Sequence, residues 1–212
     1  MSMEERRIIA RSEDSKARKR GAIVEAAAER FAVAGYAGTS MVDIARAAGV
    51  GKGTLYEYFK SKEELFLAVF GWFCAFLVDE TAKAVSGPDT QGQSASERLL
   101  AMNDTIMASL DDMGDYYGLF MEFWAAAGVS SMRDKLRPLF RHWYQQFRTI
   151  VAAIIEQGRA SGEFSQDADP DSLAASLVGA WDALGLQAWF DKEFDAPKAS
   201  GAFIRTMLKG MA

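Results

Sequence analysis

Lys52, Thr54, Tyr56 and Tyr58 fall within one short stretch, AGVGKGTLYEYFKSKEEL, from Ala48 to Leu65. They supply a cation, a hydroxyl and two phenols, a set suited to phosphate oxygens and to the edges of nucleobases. The glycines among them, Gly49, Gly51 and Gly53, raise a second chemistry, a loop that cradles the phosphates of a nucleotide. Spacing decides against it. A Walker loop ending on Gly51-Lys52 requires glycine where Arg46 stands and a hydroxyl where Gly53 stands. A dinucleotide fingerprint starting at Gly49 requires glycine at Thr54.

A helix-turn-helix uses the same residues differently. Two short helices that cross steeply need a small residue at the crossing, a turn residue tolerant of positive φ, and an apolar lock on the second helix. Ala45, Gly49 and Leu55 occupy those places, and Ile44, Ala48, Val50 and Phe59 complete an inward set. Lys52, Thr54, Tyr56 and Tyr58 then lie on the outer side. Gly53 allows a close approach to DNA, and free N–H groups at the helix start attract a phosphate.

The elements that position this segment read as helices throughout. Ile23, Ala27 and Phe31 recur at four-residue spacing, the stripe of a buried helix face that stops at Gly35. Ser40 with Asp43 caps a short helix over 41–48, and a second short helix runs over 52–58. Ser61 with Glu64 forms a capping-box signature for a long helix reaching Val85. The polar stretch SGPDTQGQSAS, Ser86 to Ser96, is a loop. Further helices are expected at 96–112, 115–127, 131–160, 170–190 and 197–210, with Pro170 and Pro197 at first helical positions. The fold class is all-α, about nine helices with no alternating strand.

Composition narrows the functions. The chain has 212 residues, 50% apolar and 25% charged, with a formal net charge of −5. Residues 1–62 carry 12 Lys/Arg against 8 Asp/Glu, and the rest carries 12 against 21. Only the front end is therefore suited to a polyanion. Lys16, Arg18, Lys19 and Arg20 cluster before the first helix as a basic arm. One cysteine, Cys74, excludes an internal disulfide, and one histidine leaves no His/Cys metal cluster. No nucleophile elbow G-x-S-x-G occurs. No continuous apolar run reaches the roughly 18 residues of a membrane span, and the charged N-terminus is unlike a secretory signal. A cytoplasmic protein that is not an enzyme, without metal or cofactor and without a membrane partner, is expected.

From about Arg18 to Phe70 the chain resembles the TetR family of bacterial transcriptional regulators. The likeness is carried by AAAERFAVAGYAGTSMVDIARAAGVGKGTLYEYFKSKEELFLAVF, in which Phe31, Gly35, Thr39, Asp43, Ile44, Ala45, Ala48, Gly49, Val50, Gly53, Tyr56, Phe59 and Lys62 recur in family order. It implies a three-helix DNA-binding domain followed by a helical ligand-binding and dimerisation domain, and release of DNA when a small molecule binds. The corresponding division is a flexible N-terminal arm over 1–15, a helix-turn-helix domain over 16–62 and a second domain over 63–212. The DNA-binding set is Thr39, Ser40, Lys52, Gly53, Thr54, Tyr56, Tyr58 and Lys62, reading a double-stranded operator. Gly51 stands where the family commonly has Ser or Thr, so a hydroxyl to phosphate must come from Thr54 or Ser40.

In the second domain, large soft side chains suit an apolar cavity with a few polar anchors. The expected ligand set is Phe73, Met102, Ile106, Tyr117, Phe120, Glu122, Trp124, His142, Trp143 and Phe147, and the expected ligand is an apolar or aromatic small molecule. Leu173, Leu177, Trp181 and Leu184 form one stripe and Phe203 and Met207 another, the expected homodimer interface. A repressor is the reading that results. Its competitors are a helical small-molecule-binding enzyme and an interaction module that does not bind DNA.

Overall fold

The computed structural model describes residues 3–86, 90, 92–129 and 131–212, and among these residues nine helices and no strand occur. They are α1 (Met3–Gly38), α2 (Met41–Ala47), α3 (Lys52–Tyr58), α4 (Lys62–Ser86), α5 (Ala95–Asp112), α6 (Asp115–Val129), α7 (Arg133–Ser161), α8 (Pro170–Phe190) and α9 (Ala196–Met211). Part of the expected loop between Ser86 and Ser96 lies outside the described residues, as do the first two residues of the expected arm. From Met3 onward that arm is helical, a correction with a plain cause: no glycine or proline interrupts the chain between Met3 and Arg20.

The helices group into two compact units. One holds the residues up to Phe73 together with Asp115–Leu136, and the other holds Cys74–Gly114 with Arg137–Ala212. The first unit thus extends past the boundary expected after Lys62, and it recruits α6. Its core explains why. Phe31 of α1 meets Phe66 of α4 edge-on at 5.4 Å, and Phe66 and Phe70 lie 4.3 and 4.9 Å from Phe123 of α6. Phe31, Phe66, Phe70 and Phe123 are all essentially inaccessible to water. Four rings buried in this way contribute several kcal/mol.

Within α1, Gly35 departs from helical geometry at φ 70°, ψ 167°, so the regular helix stops there. Ser40 caps α2 by accepting the Asp43 amide at 3.2 Å. At α4 only half of the expected capping box forms. Ser61 accepts the Glu64 amide at 3.0 Å, but the Glu64 carboxylate accepts from the Lys60 amide at 2.7 Å. An 18-residue window of α4 has a mean hydropathy of 1.7, long and apolar enough by composition to cross a membrane. Its Leu65, Phe66, Val69 and Phe70 are core residues of the first unit, which accounts for the same apolarity.

In the second unit α5 carries a complete capping box, Ser94 with Glu97. The Glu163 carboxylate adds to it, accepting the amides of Ala95 and Ser96 at 2.8 and 2.9 Å. Asp169 caps α8 and Asp195 caps α9, each with proline in the first turn. Asn103 of α5, with no exposed surface, accepts from the Trp181 indole of α8 and from the Ser200 hydroxyl of α9. One buried amide oxygen therefore joins three helices.

Candidate nucleic-acid interface

The turn between α2 and α3 is built on Gly49. Its φ of 64° is a left-handed conformation that costs other residues about 1–2 kcal/mol. The chain closes around it with Val50 N–H donating to the Ala45 carbonyl at 2.9 Å and Ala48 N–H to Ile44 at 2.9 Å. Ile44, Leu55 and Phe59 have no exposed surface and Ala45 has 4%. These four residues lock α3 against α2, as the spacing of the sequence requires.

With Leu55 and Phe59 inward, the other side of α3 faces solvent. Lys52, Gly53 and Tyr56 are exposed, and Thr54 and Tyr58 are half-buried. A methyl group added at Gly53 would have no atom within 4 Å, so packing within the chain does not require glycine there. Gly51 caps α3 in an extended conformation without a side-chain hydrogen bond. Ser40 is exposed beside this face, and its hydroxyl donates to Asp43 at 2.5 Å. That bond holds the Asp43 carboxyl below the usual carboxylate range. Two exposed residues escape a reading based on polar donors. Val42 of α2 is 46% exposed and offers methyls of the kind that meet thymine. Glu57 of α3 is exposed and can accept from cytosine.

Two members of the expected set are committed elsewhere. Thr39 is 3% exposed, and its hydroxyl donates to the carbonyls of Gly35 and Arg30 at 2.8 and 3.0 Å. The Lys62 ammonium donates to the carbonyls of Tyr36 and Thr39 at 2.8 and 3.0 Å and sits 4.4 Å over the Tyr36 ring. Both side chains hold the end of α1 instead of reaching outward. Position in the motif could not reveal this, because their carbonyl partners lie in the last turns of α1 and at Thr39 just beyond it.

The geometry so far is that of a helix-turn-helix with an exposed second helix. A model of bacterial regulatory proteins of the tetR family matches residues 23–69, and a model of the C-terminal region of BetI-type transcriptional repressors matches residues 81–212. The chain belongs to the TetR family. This TetR-family regulator is 30% identical over 169 residues to the transcriptional repressor DhaR of Mycobacterium sp. (strain GP1), covering 78% of this chain and 79% of that one. It is 23% identical over 192 residues to the fatty acid metabolism regulator of Bacillus subtilis, covering 89% and 93%. A solved TetR regulator from Chloroflexus aurantiacus has the same fold, with a TM-score of 0.78 at 22% identity over 93% of this chain and 98% of that one. The relatives are transcriptional regulators, and the helix-turn-helix of this TetR-family chain is its DNA-binding element.

The regulator's expected ligand set divides between the two units. In the first, Phe73, Tyr117 and Phe120 are buried and Trp124 is half-buried. Phe120 lies 5.8 Å from Phe73, 6.2 Å from Tyr117 and 5.9 Å from Trp124. Glu122, expected as a ligand anchor, accepts the Tyr36 amide at 2.8 Å through its carboxylate. In the second unit Met102, Trp143 and Phe147 are buried, Ile106 is half-buried, and Trp143 meets Phe147 edge-on at 5.5 Å. His142 is exposed on α7, which removes it from an enclosed site. A cleft of about 510 Å³ in the second unit involves none of the ten; Ser94, Arg98, Gln157 and Glu163 line it. Among the described residues no group of three His, Cys, Asp or Glu is arranged to hold a metal.

Asp182 was not singled out from the sequence. Burial pushes its carboxyl up to about 6 despite the 2.7 Å bond it accepts from the Tyr144 hydroxyl. The available signal was an acid within the apolar run SLVGAWDALGL. In the expected interface set, Leu177 and Trp181 are buried within the unit, a correction caused by the Trp181–Asn103 bond and the packing of α8 on α5 and α9. Leu173, Leu184 and Met207 are half-buried and Phe203 is 41% exposed. The exposed face of α8 instead carries Ala175, Gly179, Ala183 and Phe190.

Proposed function

We propose that this protein is a cytoplasmic repressor that binds a near-palindromic DNA operator as a homodimer and leaves it when an apolar or aromatic small molecule occupies the C-terminal region. The observation that carries the reading is α3. Lys52 and Tyr56 stand exposed on it, with Thr54 and Tyr58 at its flanks, while Leu55 and Phe59 anchor the opposite side. A single helix of seven residues reads few base pairs, so specificity calls for a second copy. The small exposed residues of α8 and the exposed Phe203 of α9 support a helix–helix contact between copies. The buried aromatic groups around Phe120 and Trp143 support an apolar effector. Such an effector acts through its preference for one arrangement of the dimer, and a coupling of about 1–3 kcal/mol weakens DNA binding roughly 5–150-fold.

The test starts with a duplex that the wild-type protein enriches from a randomised library. Lys52→Ala and Tyr56→Phe are expected to weaken binding to it by about 1–3 kcal/mol wherever a base contact is lost, with thermal stability unchanged. Lys62→Ala serves as the contrast, with stability lowered first. Unchanged affinity in both α3 variants would overturn the assignment of the reading face, and a monomer by light scattering would overturn the dimer. Titration of the protein–DNA complex with a hydrophobic compound library tests the effector.

A further inference from the structure

Three side chains, two from helices α6 and α4 and one from the link between α1 and α2, converge on the end of α1. Glu122 of α6 accepts the Tyr36 amide at 2.8 Å. Lys62 at the start of α4 donates to the Tyr36 carbonyl at 2.8 Å. Thr39 returns its hydroxyl to the Gly35 carbonyl at 2.8 Å. Both polar groups of the Tyr36 backbone are thus held by charged side chains that are distant in sequence. Charge-assisted bonds of this kind are about twice as strong as neutral ones.

Gly35 makes room for this arrangement. A Cβ there would lie 2.8 Å from Oε1 of Glu122, and the residue's φ of 70° is itself a left-handed conformation. The absence of a side chain therefore serves two needs, the sharp exit from α1 and the approach of a carboxylate to the amide that follows. The Tyr36 ring adds a third restraint, 4.6 Å from Phe66 and 5.8 Å from Phe31. Only three residues separate Tyr36 from Ser40, the cap from which α2 departs. The direction of α2, and through the Gly49 turn that of α3, is set at this corner.

We propose that Glu122 is a positioning residue for operator recognition: by holding the Tyr36 amide it fixes the corner from which the helix-turn-helix leaves α1. The DNA-reading side chains are more than fifty residues away in sequence, and the hydrogen bond of Glu122 goes to the Tyr36 amide. It acts through the backbone of residues 35–40. On α6 it lies roughly 160–200° around the helix from Phe120 and Trp124.

The proposal rests on the DNA-binding reading, and the two can fail separately. Binding is measured to the duplex enriched by the wild-type protein and to a scrambled duplex of equal composition. Glu122→Ala is expected to lower affinity for the enriched duplex about 10-fold, the loss of one charge-assisted bond, and to leave affinity for the scrambled duplex unchanged. Glu122→Gln keeps an oxygen acceptor and is expected to bind close to wild type. Amide exchange at Tyr36 is expected to be slow in the wild type and in Glu122→Gln, and fast in Glu122→Ala. Equal affinity of Glu122→Ala and wild type for the enriched duplex overturns the proposal. So does equal loss on both duplexes, a Glu122→Gln variant as impaired as Glu122→Ala, or free exchange of the Tyr36 amide in the wild type. Should Glu122→Ala fail to fold, Glu122→Asp, which withdraws the carboxylate by one methylene, takes its place with the same outcomes. A wild-type protein that enriches no duplex sinks the regulator reading and this proposal together.

Discussion

The Trp181 indole N–H donates to Oδ1 of Asn103 across 3.0 Å, at a point where Asn103 has no exposed surface. Ser200 donates to the same oxygen, so two buried donors depend on one acceptor. Removing the acceptor strands both, at about 1–3 kcal/mol for each. Asn103→Ala is therefore expected to lower unfolding free energy by about 2–5 kcal/mol, and Trp181→Phe by about 1–3 kcal/mol. The double variant should lose less than the sum, because the two share one bond. Urea unfolding of the three variants checks this, and an Asn103→Ala cost of under about 1 kcal/mol would contradict the network's role.

Asp182 makes stability depend on pH in the direction opposite to most carboxylates. Its carboxyl is pushed up to about 6 by burial, above the ordinary value of 3.8. The folded state therefore holds this proton more tightly than the unfolded chain does. Stability from Asp182 is present at low pH, declines as pH rises between these two values, and is gone above about 6. Asp43, Glu163 and Asp169 are shifted downward and act in the opposite sense, so the comparison has to be with a variant and not with the bare profile. Asp182→Asn retains an acceptor for the Tyr144 hydroxyl. It is expected to be about 1–3 kcal/mol more stable than wild type at neutral pH, with the difference vanishing near about pH 4. Parallel thermal unfolding curves across that range measure it, and a constant difference would refute the assignment.

Gly49 and Gly53 separate folding from reading. Alanine at Gly49 is forced to φ 64° and is expected to cost about 1–2 kcal/mol of stability. Alanine at Gly53 meets nothing within 4 Å and favours the helix by about 0.5–1 kcal/mol. Its stability should equal or exceed that of wild type, while its affinity for the enriched duplex falls because a methyl now stands where the backbone approaches DNA. Calorimetry and fluorescence anisotropy on both variants distinguish the two roles. Normal DNA binding by Gly53→Ala would place the DNA away from the start of α3.

Much of the architecture was legible in local pattern. The four-residue stripes, the caps at Ser40 and Ser61, and the prolines at 170 and 197 locate most helix ends within a residue or two, because capping and periodicity act over a single turn. The two short helices, the Gly49 turn and the buried Ile44, Leu55 and Phe59 were readable for the same reason, and with them the outward place of Lys52 and Tyr56. What tertiary structure decided are the partners. An amphipathic stripe states that a face is buried but not against what, so Leu177 and Trp181 suited a dimer interface until Asn103 claimed Trp181 from within the chain. An acid among aromatics suited a ligand anchor, yet the Tyr36 amide, 86 residues away, accounts for Glu122. Lys62 belonged to the expected DNA-binding set, yet two carbonyls of the α1 exit hold it. Periodicity is a property of neighbours along the chain. Satisfaction of a buried carboxylate, ammonium or amide depends on groups that only folding brings within hydrogen-bonding distance.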